Sequence, residues 1–180
     1  MSVSDSPDGE SQVIRPPATA CVIFGATGDL THRKLIPALY NLAHDGYLPE
    51  KFAVVGAARS KLTDEQFRQS LYESLVKHSR RKIIPEVWEK FSKSIYYQSV
   101  DSASDVGFKE LRTKLESLAS SPNERWNYLY YLAVAPSVFA PTSARLKEAG
   151  LVSSLKAGER ITSLVVEKPF GHDLPSALEL

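Results

Sequence analysis

Thr19-Ala20-Cys21-Val22-Ile23-Phe24-Gly25-Ala26-Thr27-Gly28-Asp29-Leu30 is the stretch whose reading decides the fold. An apolar run of strand length stops at a glycine turn, and a helix-like pattern begins directly after it. A βαβ unit makes a nucleotide site in this way. Gly25 can take a backbone conformation barred to other residues, Gly28 lets the main chain approach a ligand closely, and the next helix opens with unpaired N–H groups that suit a pyrophosphate. The spacing departs from G-x-G-x-x-G, because Thr27 stands near the second glycine and Leu30 replaces the third. The shorter G-x-x-G also serves turns that hold nothing, so the rest of the chain has to decide.

Working outward, helix and strand patterns alternate. Leu35, Ile36, Leu39, Leu42 and Ala43 share one helical face, stopped by Gly46 and Pro49. Pro37 lies inside this helix, and an interior proline either kinks it or makes 29–34 a separate first turn. Phe52 to Ala57 reads as a second strand. Thr63-Asp64-Glu65-Gln66 is a capping box opening a helix with Phe67, Leu71, Leu75 and His78 along one side. A short helix near Pro85 to Phe91 carries Val87 and Trp88, the tryptophan reading as core, and Ile95 to Val100 is the third strand. Phe108, Leu111, Leu115 and Leu118 repeat at the helical period. Tyr128 to Val134 is a fourth strand ended by Pro136, a helix from about Ser137 closes at Gly150, and Ile161 to Val166 is the fifth strand.

This alternation predicts an α/β fold, a doubly wound Rossmann-like parallel sheet with helices on both faces. Ligands of such sheets bind outside the carboxyl ends of the strands. Gly25, Arg59, Asp101, Ala135 and Lys168 all fall at or just beyond predicted strand ends. No internal repeat or second domain is visible. The expected organisation is a disordered tail over 1–18, serine-rich and acidic without an apolar leader segment, and one domain over 19–180.

A chain of 180 residues can bury about 70% of its unfolded surface, enough for a core without disulfides. The one cysteine, Cys21, lies in the apolar strand and reads as a packed thiol in a reducing, cytoplasmic compartment. Lys and Arg total 22 against 21 Asp and Glu, a formal charge of +1, which leaves no global field to draw the protein onto nucleic acid. The basic run Lys77-His78-Ser79-Arg80-Arg81-Lys82 reads as a solvated helix end. No apolar stretch approaches the roughly 20 residues of a membrane span.

The second strand's end identifies the cofactor. NAD sites there carry an Asp or Glu for the ribose 2′-hydroxyl, whereas NADP needs a cation for the 2′-phosphate. This chain has Gly56-Ala57-Ala58-Arg59-Ser60-Lys61, without a carboxylate. Arg59 offers a planar fork for phosphate, Ser60 a hydroxyl and Lys61 a point charge, so the residues read as an NADP site, the other reading being a surface arginine in a polar loop. His32, Arg33 and Lys34 follow the glycine turn and can bring positive charge near the cofactor phosphates, or stand as ordinary exposed cations.

Three segments stand in order: Gly25-Ala26-Thr27-Gly28-Asp29-Leu30, Gly56-Ala57-Ala58-Arg59-Ser60 and Val166-Glu167-Lys168-Pro169-Phe170-Gly171. With them the chain strongly resembles the amino-terminal coenzyme domain of the glucose-6-phosphate dehydrogenase family, from about Thr19 to Leu180. The resemblance implies that Gly25, Ala26, Thr27, Gly28, Asp29, Leu30, Thr31 and His32 embrace the NADP phosphates and that Arg59 holds the 2′-phosphate. It implies that Asp101 lies near the adenine, with a helix-start role as the other reading. It also implies that Lys168 reaches both the sugar phosphate substrate and the nicotinamide end, across a cis bond to Pro169.

The implied reaction oxidises glucose 6-phosphate to 6-phosphogluconolactone, an oxidoreductase step of the pentose phosphate pathway. The family's general base is a histidine in Arg-Ile-Asp-His-Tyr. None of His32, His44, His78 or His172 follows an aspartate here, so no catalytic base is assigned and no metal is expected. The expectation is a coenzyme domain, cut or naturally truncated before the substrate and oligomerisation domain and inactive by itself. Homo-oligomers are expected only of the longer parent. The competing reading is a non-catalytic NADP-binding module. A parent's missing domain would leave an exposed sheet edge and an unmet apolar face.

Overall fold

A computed structural model describes residues 16–121, 123–152 and 160–168. Residues 1–15 of the expected tail over 1–18, the Lys168-Pro169 bond, Phe170, Gly171 and His172 lie outside the described residues. Five strands form one wholly parallel sheet in the order β3-β2-β1-β4-β5: β1 (Thr19–Phe24), β2 (Phe52–Ala58), β3 (Ile95–Ser99), β4 (Asn127–Leu132) and β5 (Thr162–Val166). The helices are α1 (Ile36–His44), α2 (Asp64–His78), α3 (Pro85–Ser92), α4 (Val106–Glu116) and α5 (Phe139–Glu148).

Strand alternation sorts the core into two layers. Ala20, Val22 and Phe24 of β1 pack with Phe108, Leu111 and Leu115 of α4 and Phe139 and Leu146 of α5. Cys21 and Ile23 face the other way, onto Ile36 and Tyr40 of α1, Phe67, Leu71 and Leu75 of α2, and Phe91 of α3. Both faces of β1 are therefore covered, which is why it reads as a continuous apolar run. Burial pushes the Cys21 thiol up to about 12, so it is an inert packing group. Trp88, read as core, is half-buried against the edge of this layer, its ring 5.3 Å from that of Tyr72 and 6.1 Å from that of Phe91.

Three boundaries follow from geometry that periodicity does not carry. Helical backbone begins at Asp29 and runs on into α1 through a π-helical turn, Thr31–Leu35, whose closing bond runs from the Ile36 N–H to the Thr31 carbonyl. Pro37 follows directly on this turn, inside a continuous helical run, and the irregular π-helical bonding there accommodates a residue without an N–H. β4 stops at Leu132, two residues short of the expected end, because its partner β1 turns away at Gly25. α5 starts at Phe139, after a 3-10 turn over Pro136–Val138.

The capping box is formed as read. The Gln66 N–H donates to Thr63 Oγ1 at 3.2 Å, and the Thr63 N–H donates to Gln66 Oε1 at 2.9 Å. In the basic run, Arg81 donates to Asp45 at 2.6 Å, tying the end of α2 to the end of α1. β3 and β5 are the outer strands among the described residues, and at β5 Ile161, just before the strand, and Leu164 within it are 53% and 48% exposed. No helix among the described residues is long and apolar enough to cross a membrane.

Candidate functional site

Strand order reverses between β1 and β4, and at that point a crevice of about 450 Å³ opens at the carboxyl ends of the strands. It is lined by Gly25, Thr27 and Gly28 after β1, Arg59 and Ser60 after β2, Asp101 and Ser102 after β3, and Ala133 to Ala135 after β4. Four of the five strand-end positions singled out in the sequence thus meet in one cavity. Lys168, exposed beyond β5, does not line it.

The glycine turn is held by its own hydrogen bonds. Gly25 has φ 81°, a conformation costly for residues with a side chain, and its N–H donates to the Ala57 carbonyl at 2.9 Å. Its carbonyl accepts the Gly28 N–H at 2.8 Å and the Thr31 hydroxyl at 3.2 Å. A Cβ on Gly25 would stand 2.2 Å from the Ala133 carbonyl oxygen, so the turn seats directly against the segment leaving β4. Beyond the turn, the first helical amides have no partner within the helix, which is the donor set an anion needs.

The remaining positions carried by the resemblance separate by environment. Ala26 and Thr31 are fully buried, Ala26 in the core and Thr31 beneath the turn. Leu30 is half-buried, and Asp29 is exposed and paired with Arg33 at 3.5 Å. Burial lowers the His32 pKa below its ordinary value, offset in part by Asp29 and reinforced by His78. At neutral pH its ring is therefore uncharged, and of the cations expected after the turn only Arg33 and Lys34 bring charge.

Arg59 is exposed on the crevice rim, and among the described residues no carboxylate pairs with it. Asp101 both lines the crevice and accepts the Ala103 N–H at 3.0 Å, so it also caps the turn ahead of α4. Next to Lys168, the Glu167 carboxylate accepts the Tyr131 hydroxyl at 2.5 Å. Desolvation and that carboxylate push the Tyr131 phenol up to about 12. No group of three metal-ligating side chains occurs among the described residues.

Sequence reading missed Thr142, Val138 and Phe108, which wall the crevice from α4 and the start of α5. Thr142 carried a usable signal. It shares a helical face with Phe139 and Leu146, which places a hydroxyl on the buried side of α5.

Fold and crevice together define a dinucleotide-binding domain of the doubly wound α/β class. The family model described as "Glucose-6-phosphate dehydrogenase, NAD binding domain" matches residues 22–180, and the chain belongs to the glucose-6-phosphate dehydrogenase family. It is 42% identical over 156 residues to glucose-6-phosphate 1-dehydrogenase of Aggregatibacter actinomycetemcomitans, covering 87% of this chain and 31% of that protein. Against the Saccharomyces cerevisiae enzyme of the same name it is 40% identical over 163 residues, covering 90% and 31%. A solved glucose-6-phosphate dehydrogenase in complex with its substrate glucose-6-phosphate superposes with a TM-score of 0.78 at 34% identity, over 91% of this chain and 33% of that one. The chain spans about a third of the length of these relatives.

Proposed function

We propose that residues 19–180 form an NADP-binding domain serving the oxidation of glucose 6-phosphate to 6-phosphogluconolactone. The observation that carries this reading is Arg59, which among the described residues pairs with no carboxylate and stands on the rim of the crevice, where an NAD site would place an acid. The crevice offers a dinucleotide phosphate the first helical amides after the turn and one guanidinium at the outer end.

In this reading the backbone from Gly25 to His32 holds the pyrophosphate, with the Ala26 and Thr31 side chains supporting it from below. Arg59 forks the 2′-phosphate with Ser60 beside it, and Asp101 borders the adenine end. Lys168 supplies a charge for the substrate phosphate and for the nicotinamide end. Bound NADP supplies a hydride acceptor for the sugar's C1. The C1 hydroxyl must also lose its proton to a base. The histidines in this sequence, His32, His44, His78 and His172, all lack a preceding aspartate, so none of them is assigned as that base. A lone buried thiol at Cys21 suits a reducing cytoplasm.

The expected behaviour of the chain is binding without turnover. Titrated by calorimetry, it should bind NADP at least about tenfold more tightly than NAD, the effect of one lost charge-assisted bond. Mixed with NADP and glucose 6-phosphate, it should give no growth of reduced-nicotinamide absorbance. Equal affinity for the two dinucleotides would contradict the cofactor reading. Steady turnover by chain freed of contaminating enzyme would place a base within these residues.

A further inference from the structure

We propose that Tyr97 of β3 is a positioning residue for cofactor choice: it clasps the backbone on both sides of Arg59 and so fixes the base from which that side chain reaches. This rests on the reading above that Arg59 binds the 2′-phosphate. The Tyr97 hydroxyl stands 2.7 Å from the Ser60 carbonyl and 3.3 Å from the Ala58 carbonyl, donating chiefly to the nearer. Ser99, two residues along the same strand, donates its hydroxyl to the Arg59 carbonyl at 3.3 Å. The Val100 N–H donates to Ala58 at 2.9 Å. Three successive carbonyls, at Ala58, Arg59 and Ser60, are thus all held from β3.

Tyr97 can act as a fixed post because everything else about it is constrained. It is buried, and its ring lies 5.0 Å from that of Phe67, which itself fills the space over Gly56 of β2. Its N–H donates to Asp64 Oδ1 at 2.7 Å, and its carbonyl accepts from Lys114 Nζ at 2.6 Å. Lys114 also donates to Asp64 Oδ1 at 3.2 Å, closing a bracket around the tyrosine backbone. Burial raises the phenol's pKa, so the hydroxyl remains a donor at neutral pH. An exposed arginine on a free loop would spend binding energy on ordering its own backbone, and a clasped loop has that ordering already in place.

The test is a double-mutant cycle read by calorimetric binding of NADP and NAD to the full chain, using Tyr97→Phe, Arg59→Ala and the double variant. Tyr97→Phe keeps the ring and removes one hydrogen bond. NADP binding should weaken about 3- to 10-fold while NAD binding changes less than about twofold. In the Arg59→Ala background the same change should add nothing, because the two residues act as one unit. Equal weakening of both dinucleotides, or full additivity in the double variant, would overturn the proposal. Retained NADP affinity in Arg59→Ala alone would overturn the underlying cofactor reading, and the clasp with it. Should Tyr97→Phe fail to fold, Ser99→Ala removes the neighbouring hydroxyl and carries the same cycle, and an equal effect on both dinucleotides would count against the proposal.

Discussion

Replacing Gly25 by alanine is expected to abolish dinucleotide binding and to destabilise the domain, although the change adds one methyl group. The φ of 81° costs an alanine about 1–2 kcal/mol. Its Cβ would meet the Ala133 carbonyl oxygen at 2.2 Å, so β1 or the segment after β4 must shift, and overpacking of that kind costs about 1–3 kcal/mol more. The shift falls on the crevice floor, since Ala133, Val134 and Ala135 all line it. A lowered urea midpoint with retained far-ultraviolet dichroism, together with lost NADP binding, is the expected pair of results. Wild-type binding by the variant would remove the turn from the site.

Arg59→Asp is expected to invert cofactor preference. Removing the guanidinium forfeits charge-assisted bonds worth about 1.5–3 kcal/mol each, which alone lowers NADP affinity at least about tenfold. The new carboxylate repels the 2′-phosphate and offers the ribose acceptor typical of NAD sites. NADP affinity should fall about a hundredfold or more in total, and NAD affinity should hold or rise. Since Arg59 is exposed and outside the core, the thermal midpoint should hardly move. Parallel titrations with both dinucleotides check this, and equal losses for the two would refute the role of Arg59.

The strands were legible because each is an apolar run bounded by turn residues, and a parallel sheet covered on both faces makes such runs continuous. Strand ends were legible for the same reason, which is why Gly25, Arg59 and Asp101 could be named together before any contact between them was known. β4 was read two residues too long because Ala133 and Val134 are as apolar as the strand before them. What ends β4 is the departure of β1 at Gly25, a fact about its partner. The π-helical turn at Thr31–Leu35 hides likewise, because one extra residue in a turn leaves the apolar pattern almost unchanged. The helical face of Thr142 marked it as buried, but its place in the crevice, like that of Tyr97 beside Arg59, went unread for a related reason. A helix's rotation against the sheet and the register of β3 against β2 bring them to the crevice and to Arg59, and neither quantity is a local property of sequence.

The central claim is that NADP binds at the strand ends on the β1 turn, and amide chemical-shift mapping of the isotopically labelled chain tests it most directly. A second cavity of similar size, about 440 Å³, lies elsewhere, lined by Trp126, Tyr128 and Arg160, and provides an internal comparison. Titration with NADP should move the amides from Gly25 to His32 and those of Arg59, Ser60 and Asp101, and leave Trp126, Tyr128 and Arg160 in place. Shifts centred on Trp126, Tyr128 and Arg160, with the Gly25 turn unmoved, would contradict the account.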